Sequence, residues 1–246
     1  MHGIPGMAAL LLALLAGAGS GELRAQSPQT TASEDHILQS AGFLAAHPDL
    51  DNRRKGWDAY RAGAFETAMT YFRRAARYAD KPSQGMVAEM LWNGEGVARD
   101  PALAYAWMDL AAERGYEGLV VLRERYWRDL DETLRAQAVD RGGAVYAEFG
   151  DAVAQPRMAA VLRRARRNTT GSRTGATGTL KIEIPGPGGI MQTIDGSTYY
   201  ATKFWDPEEY QAWHDAVWTR PRAGRVDVGD VETLRPATSS GSDRDD

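Results

Sequence analysis

From Trp57 to Gly115 apolar side chains return every three or four residues, and short breaks rich in Gly, Asp and Pro divide the run into four helical stretches. Trp57 and Tyr60 lie one turn apart ahead of Gly63, and Gly63-Ala64-Phe65 reads as a tight turn. Phe65, Ala68, Phe72, Ala75 and Ala79 then form one stripe along the next stretch. Pro82 takes a first-turn position that tolerates it, and Met86, Met90 and Leu91 give the third stretch its apolar side before Gly94. Asp100-Pro101 predicts an N-cap followed by a first-turn proline. Gly115 stands where a left-handed residue ends the fourth stretch.

Two of these stretches are versions of one another. Ala68, Tyr71, Phe72, Ala75 and Ala76 recur 36 residues on as Ala104, Trp107, Met108, Ala111 and Ala112. Self-similarity at that period predicts helix pairs that bury their apolar faces on each other and present a groove to a partner. Ala68, Ala75, Ala104 and Ala111 let the helices approach closely. Trp57, Phe72 and Trp107 fill the space between pairs, each burial being worth roughly 1.5–3 kcal/mol. Two copies fall short of the roughly three that such a stack needs, so flanking helices must complete it. Leu119, Leu122, Tyr126 and Leu130 mark one, Leu134, Ala138, Val145 and Phe149 another, and residues 160–167 end the array. On the other side, Ser33 as N-cap with Ile37, Ala41, Phe43 and Leu44 predicts a single short capping helix that stops before Pro48.

The string Gly94-x-Gly96-Val97-x-x-Asp100-x-x-x-Ala104-x-x-Trp107-x-x-x-Ala111-Ala112-x-x-Gly115 resembles the Sel-one-like repeat, a relative of the tetratricopeptide repeat. The half before it departs from that family, with Ala88 where a glycine is usual and Leu91 where a tyrosine is. The first copy resembles a shorter tetratricopeptide-like version whose loop is trimmed. The resemblance implies a right-handed α-solenoid of antiparallel helix pairs serving as an adaptor, and it implies no catalysis. Such a groove grips an extended segment or a helix through side chains of the inner helices. Tyr60, Arg61, Trp92 and Asn93 are the inner candidates.

After Asn168 the texture changes. The Gly/Thr/Ser-rich run at 169–178 reads as a linker. Thr179 to Ile184 alternates as a half-buried strand does and stops at Pro185. The next run, Pro-Gly-Pro-Gly-Gly, is a loop. Ile190, Gln192 and Ile194, then Asp195-Gly196, then Ser197 to Thr202 read as strand, turn and strand of a hairpin. Asp206-Pro207 opens a last helix carrying Tyr210, Trp213 and Val217 on one face. The predicted class is mainly α: a short α-solenoid of helix-pair repeats followed by a small α+β C-terminal unit with an antiparallel sheet. The predicted division is 1–25 signal peptide, 26–50 linker and capping helix, 51–168 repeat domain, 169–178 linker, 179–234 α+β unit and 235–246 disordered tail.

The N-terminus changes where this fold is expected to work. Met7 to Ala18 is an apolar run too short to span a bilayer. It leads into small residues, with Ala16-Gly17-Ala18 as one cleavage site and Leu23-Arg24-Ala25 as a poorer one. It reads as a secretory signal despite a leading segment without Lys or Arg, and it predicts a periplasmic or secreted protein with no transmembrane anchor once it is removed. With no cysteine in the chain, disulfides and lipid attachment at a lipobox are excluded. Lys+Arg 29 against Asp+Glu 33, a net charge of −4, offers no general attraction for nucleic acid.

Candidate chemistry is sparse. Four histidines, dispersed as His2, His36, His47 and His214, form no metal-ligand spacing, and His214-Asp215 reads as a solvent-facing pair on the final helix. No nucleophile elbow, SxxK or P-loop occurs. The expectation is a non-catalytic scaffold, without cofactor, that binds a protein or peptide in the cell envelope. Arg157, Arg163, Arg164, Arg166, Arg167 and Arg173 form a basic stretch read either as a solvated helix face or as a patch for an anionic envelope polymer, centred on Arg163, Arg164, Arg166 and Arg167. Tyr199, Tyr200, Phe204, Trp205, Tyr210, Trp213 and Trp218 read as core of the terminal unit. The rival function is an envelope glycan or peptidoglycan-binding module, or a weak hydrolase, centred on these rings with Asp195 or Glu209 as acid. Exposure of Trp205 and Trp213 in one cleft is what that rival requires.

Overall fold

The chain is mainly helical, with one small antiparallel sheet near its C-terminal end. The computed structural model describes residues 32–167, 180–185 and 191–219. The expected signal peptide, the 169–178 linker, the loop at 186–189, Arg173 and the 235–246 tail lie outside the described residues. Helix α1 spans Ala32–Gln39 and α2 spans Ala41–Ala46. The single capping helix expected here is broken because Ser40 is extended (φ −70, ψ 142). Its hydroxyl donates to Ile37 O and accepts from the Phe43 amide, which caps α2. Ser33, expected as an N-cap, falls inside α1.

The repeats occupy α3 (Pro48–Arg61), α4 (Phe65–Ala76), α5 (Lys81–Asn93) and α6 (Pro101–Ala111), the last continuing as a 3₁₀ turn, Ala112–Arg114. Gly63, Gly94 and Gly115 all take the left-handed conformation at helix ends, and Asp80 and Asp100 cap α5 and α6 through the amides of Ser83 and Leu103. Ala68, Ala75, Ala104 and Ala111 are fully buried, and Phe72 and Trp107 are buried beside them. Trp57 meets Phe72 edge-on, with ring centroids 5.6 Å apart. Gly96 lets the longer second loop approach α4 closely: a Cβ there would stand 2.5 Å from the carbonyl carbon of Phe65 and the amide of Glu66. The loop of the second pair therefore rests on the first turn of α4, and the two pairs share one core.

Helices α7 (Glu117–Asp129) and α8 (Glu132–Phe149) both pack against α6 and touch each other little; α9 spans Asp151–Arg167. Strands β1 (Lys181–Pro185) and β2 (Met191–Asp195) pair antiparallel with Ile182 opposite Ile194. The expected hairpin at Asp195-Gly196 is therefore displaced: the partners are β1 and β2. Gly196–Tyr199 is instead the short helix α10, capped when the Asp195 carboxylate accepts from the Ser197 amide. Thr202–Trp205 (α11) and Pro207–Thr219 (α12) complete the order.

The terminal unit does not stand alone. Ile37, Phe43, Leu44 and Leu50 from the N-terminal helices share a second core with Ile184, Ile194, Tyr199, Phe204 and Trp205. A partly buried ionic network around Lys81 ties the repeats to α9 and α12. Lys81 Nζ reaches Glu113 (2.6 Å), Asp151 (3.0 Å) and Leu110 O, and Arg114 binds Asp151 and contacts Asp215 of α12. Among the described residues no helix is long and apolar enough to cross a membrane.

Candidate functional site

On the side where α3, α5 and α7 succeed one another, Tyr60, Glu89, Trp92, Asn93, Glu95 and Tyr126 come together. Tyr60 donates to Glu95 at 2.9 Å, and Trp92 stacks on Tyr126 with centroids 4.1 Å apart. Glu89 is 3% exposed, and neither carboxyl oxygen has a hydrogen-bond partner; Asn93 Nδ2 is likewise unbonded. Burial, with the nearby Glu95 charge adding to it, pushes the Glu89 carboxyl up to about 8. Glu89 therefore favours its neutral form near pH 7, because ionising it would leave a buried charge without a partner. Burial and the same acids raise the Tyr60 and Tyr126 phenols.

Of the four residues expected to face a partner, Arg61 is exposed and Asn93 half-buried, whereas Tyr60 and Trp92 are buried. Arg61 is tied to Asp58, and the Arg99 guanidinium lies over the Trp92 ring. Sequence reasoning missed Glu89 and Glu95, and read Tyr126 only as a marker of the α7 helix, where it is buried. The available signal was one acid, Glu89, inside the apolar run of α5, a turn before Asn93.

A second place stands open where α7 and α8 diverge over α6. There a cleft of about 280 Å³ is lined by Tyr105, Asp109, Trp127, Val139, Gly142, Gly143 and Tyr146 among others. The rings of Tyr105 and Trp127 are 4.8 Å apart. Tyr146 donates to Asp109 Oδ2 at 3.2 Å, Arg123 stands 3.7 Å from Asp109 Oδ1, and Arg135 covers Trp127. Burial, then Asp109, raise the Tyr105 phenol, so its hydroxyl keeps its proton. None of these residues was singled out from the sequence.

A third, apolar recess of about 210 Å³ lies between the N-terminal helices and α12, with Leu38, Leu44, Leu50, Trp57 and Trp213 on its walls. Its two guanidiniums are already engaged, Arg53 with Asp80 and Arg54 with Asp51.

The late aromatic residues are chiefly core. Trp205 is buried and donates to Tyr199 O, while half-buried Trp213 packs edge-on against Phe204. His214 is buried instead of solvent-facing, with Nε2 3.5 Å from Asp49, and Asp215 accepts from the hydroxyl of Tyr116. Asp195 is a helix cap whose carboxyl is held low by its two bonds from Ser197, and Glu209 is exposed at the start of α12. Arg163, Arg164, Arg166 and Arg167 are all exposed on the last turns of α9, with Arg166 3.8 Å from Asp206. Among the described residues no cluster of three or more His, Asp or Glu could hold a metal ion.

Comparison with known proteins supplies no relative: no protein-family model, no curated protein and no solved structure matches the chain.

Proposed function

We propose that the chain is an exported, non-catalytic scaffold of Sel-one-like type that binds a protein or peptide along the α3, α5 and α7 side of its helix pairs. The observation that carries this reading is the nesting of the two pairs, with Ala68, Ala75, Ala104 and Ala111 fully buried between helices. Side chains of successive first helices meet on that side, Tyr60 of α3 with Glu95 after α5 and Trp92 of α5 with Tyr126 of α7, and helical-repeat binders use such a side to hold a partner. Arg61 is the exposed member of that face and Asn93 a half-buried one. The test is capture of a saturable protein from an envelope extract by the chain, repeated with Arg61→Glu plus Asn93→Lys. Loss of capture with unchanged thermal unfolding supports the reading. Equal capture by the double variant, or recovery of glycan alone, reverses it.

An anionic envelope polymer is a second partner favoured by the four exposed arginines at the end of α9. Replacing Arg163, Arg164, Arg166 and Arg167 with glutamine should weaken retention on a polyanion column at low salt. Unchanged elution removes this partner. For the rival centred on the terminal unit, burial of Trp205 under its neighbours takes away the exposed strip that it requires.

A further inference from the structure

We propose that the cleft between α6, α7 and α8 binds a neutral saccharide ring, laid against Gly142 and Gly143. This ligand goes beyond the scaffold reading and does not depend on it. At about 280 Å³ the cleft is near the small end of ligand pockets, sized for one compact ring of a longer molecule. Three amphipathic rings, Tyr105, Trp127 and Tyr146, line it, and such rings stack on flat C–H faces while their polar edges stay wet.

Its polar groups select among ligands. Asp109 Oδ1 makes no hydrogen bond, since Arg123 is 3.7 Å away and Tyr146 donates to the other oxygen. A proline-rich peptide brings ring faces and carbonyls but no donor for that oxygen. A cationic side chain would satisfy it, yet it would meet Arg123 beside Asp109 and Arg135 already seated on Trp127. A sugar hydroxyl both donates and accepts, so it serves Asp109 and Arg123 together without adding charge. The Tyr105 hydroxyl, unbonded among the described residues, supplies a further donor or acceptor.

The glycine pair adds to this. Gly142 and Gly143 sit in the middle of an 18-residue helix, where glycine is unfavourable, and a Cβ on either would meet nothing within 4 Å. Packing within the chain does not require them. Both glycines line the cleft, whose wall they keep free of side chains.

The intact chain, labelled with ¹⁵N-glycine, is titrated with cellotetraose, maltotetraose, xylotetraose and chitotetraose, and separately with tetraproline and tetralysine. The Gly142 and Gly143 amide signals are assigned from Gly142→Ala and Gly143→Ala. One saccharide should move both signals saturably at low-millimolar concentration or below. Gly143→Ala should raise Tm by a few degrees while weakening that saccharide about tenfold or more, a combination that a purely structural glycine would not give. Asp109→Asn should weaken it with Tm little changed. The proposal is overturned if no saccharide moves these signals up to about 20 mM. It is equally overturned if a peptide probe moves them instead, or if Gly143→Ala binds like the parent. Partner capture through Arg61 and Asn93 reads a different face, so either result can fail alone.

Discussion

The hydroxyl of Tyr210, in the last helix, donates to Oδ2 of Asp49, in the first turn of α3, at 2.7 Å. Both residues are buried, and Asp49 Oδ1 has no partner. Beside them both ring nitrogens of His47 face backbone carbonyls, Phe43 O and Phe204 O, at 2.8 Å each. Polar contacts thus join the two ends of the described fold in the same place as its second core.

Tyr210→Phe should cost about 1–3 kcal/mol, because the buried Asp49 carboxylate loses its one close donor. Burial pushes the Asp49 carboxyl up, but His214, His47 and Tyr210 outweigh it and hold the carboxyl below its ordinary value. A carboxyl depressed in the folded state adds stability above its unfolded pKa, and that stability is lost as pH falls through the lower folded value. Thermal unfolding followed by circular dichroism from pH 6 down to about 3 should show a smaller acid-side loss in the variant. A parallel profile would contradict this account.

Glu89 should act with the opposite sign. Its folded pKa of about 8 lies above the ordinary 4.5, so the stability linked to its proton is complete below the ordinary value and declines as pH rises through about 8. The slope is about 1.4 kcal/mol per pH unit at most. Glu89→Gln keeps the shape and removes the titration. Urea unfolding at pH 6 and pH 8.5 should find the variant gaining on the parent as pH rises, and a constant difference would show that Glu89 ionises freely.

Legibility in the sequence divides by range. Helices from Trp57 to Gly115 were readable because each carries its own punctuation: Gly63, Gly94, Asp100-Pro101 and Gly115 fix their ends locally. Asp195-Gly196 misled for a local reason as well, since an aspartate before a glycine suits a hairpin turn and a helix N-cap equally. The alternation of β1 was visible, but its pairing with β2 was not, because register is settled between strands. The seam joining Phe43 to Phe204 and Asp49 to His214 spans most of the chain, and no short-range pattern announces it. The burial of Glu89 depends on how α3 and α7 flank α5, and the open cleft on how far α7 stands from α8, both tertiary quantities. Ser40 breaks a helix that periodicity alone would have continued.

Glycine substitutions should differ in cost according to what the added Cβ would meet. Gly63→Ala suffers only the left-handed backbone, about 1–2 kcal/mol, since nothing lies within 4 Å. Gly96→Ala adds contacts of 2.5 Å with the backbone of Phe65 and Glu66, so it should cost more than Gly63→Ala. Gly56→Ala drives a methyl to 2.6 Å from the buried Phe72 ring, an overpacking of about 1–3 kcal/mol that offsets the helical gain. Denaturant midpoints should fall in the order Gly63→Ala above Gly96→Ala, and the reverse order would mean that the second loop does not rest on α4.

Lys81→Met should destabilise by about 3 kcal/mol, at the low end for breaking a buried pair. Asp151 keeps Arg114, which limits the damage, and Glu113 is 26% exposed and can turn to water. Differential scanning calorimetry checks the size; a neutral outcome would mean that the Lys81 charge contributes nothing net.

Stacks of helix pairs commonly grow in evolution by copying a unit onto an unoccupied flank. In this chain α1 and α2 are committed to the sheet and to Phe204, while the far side is tethered through Arg114 to Asp151 and Asp215. A duplicated hairpin inserted at either seam would therefore have to break these contacts before it could dock.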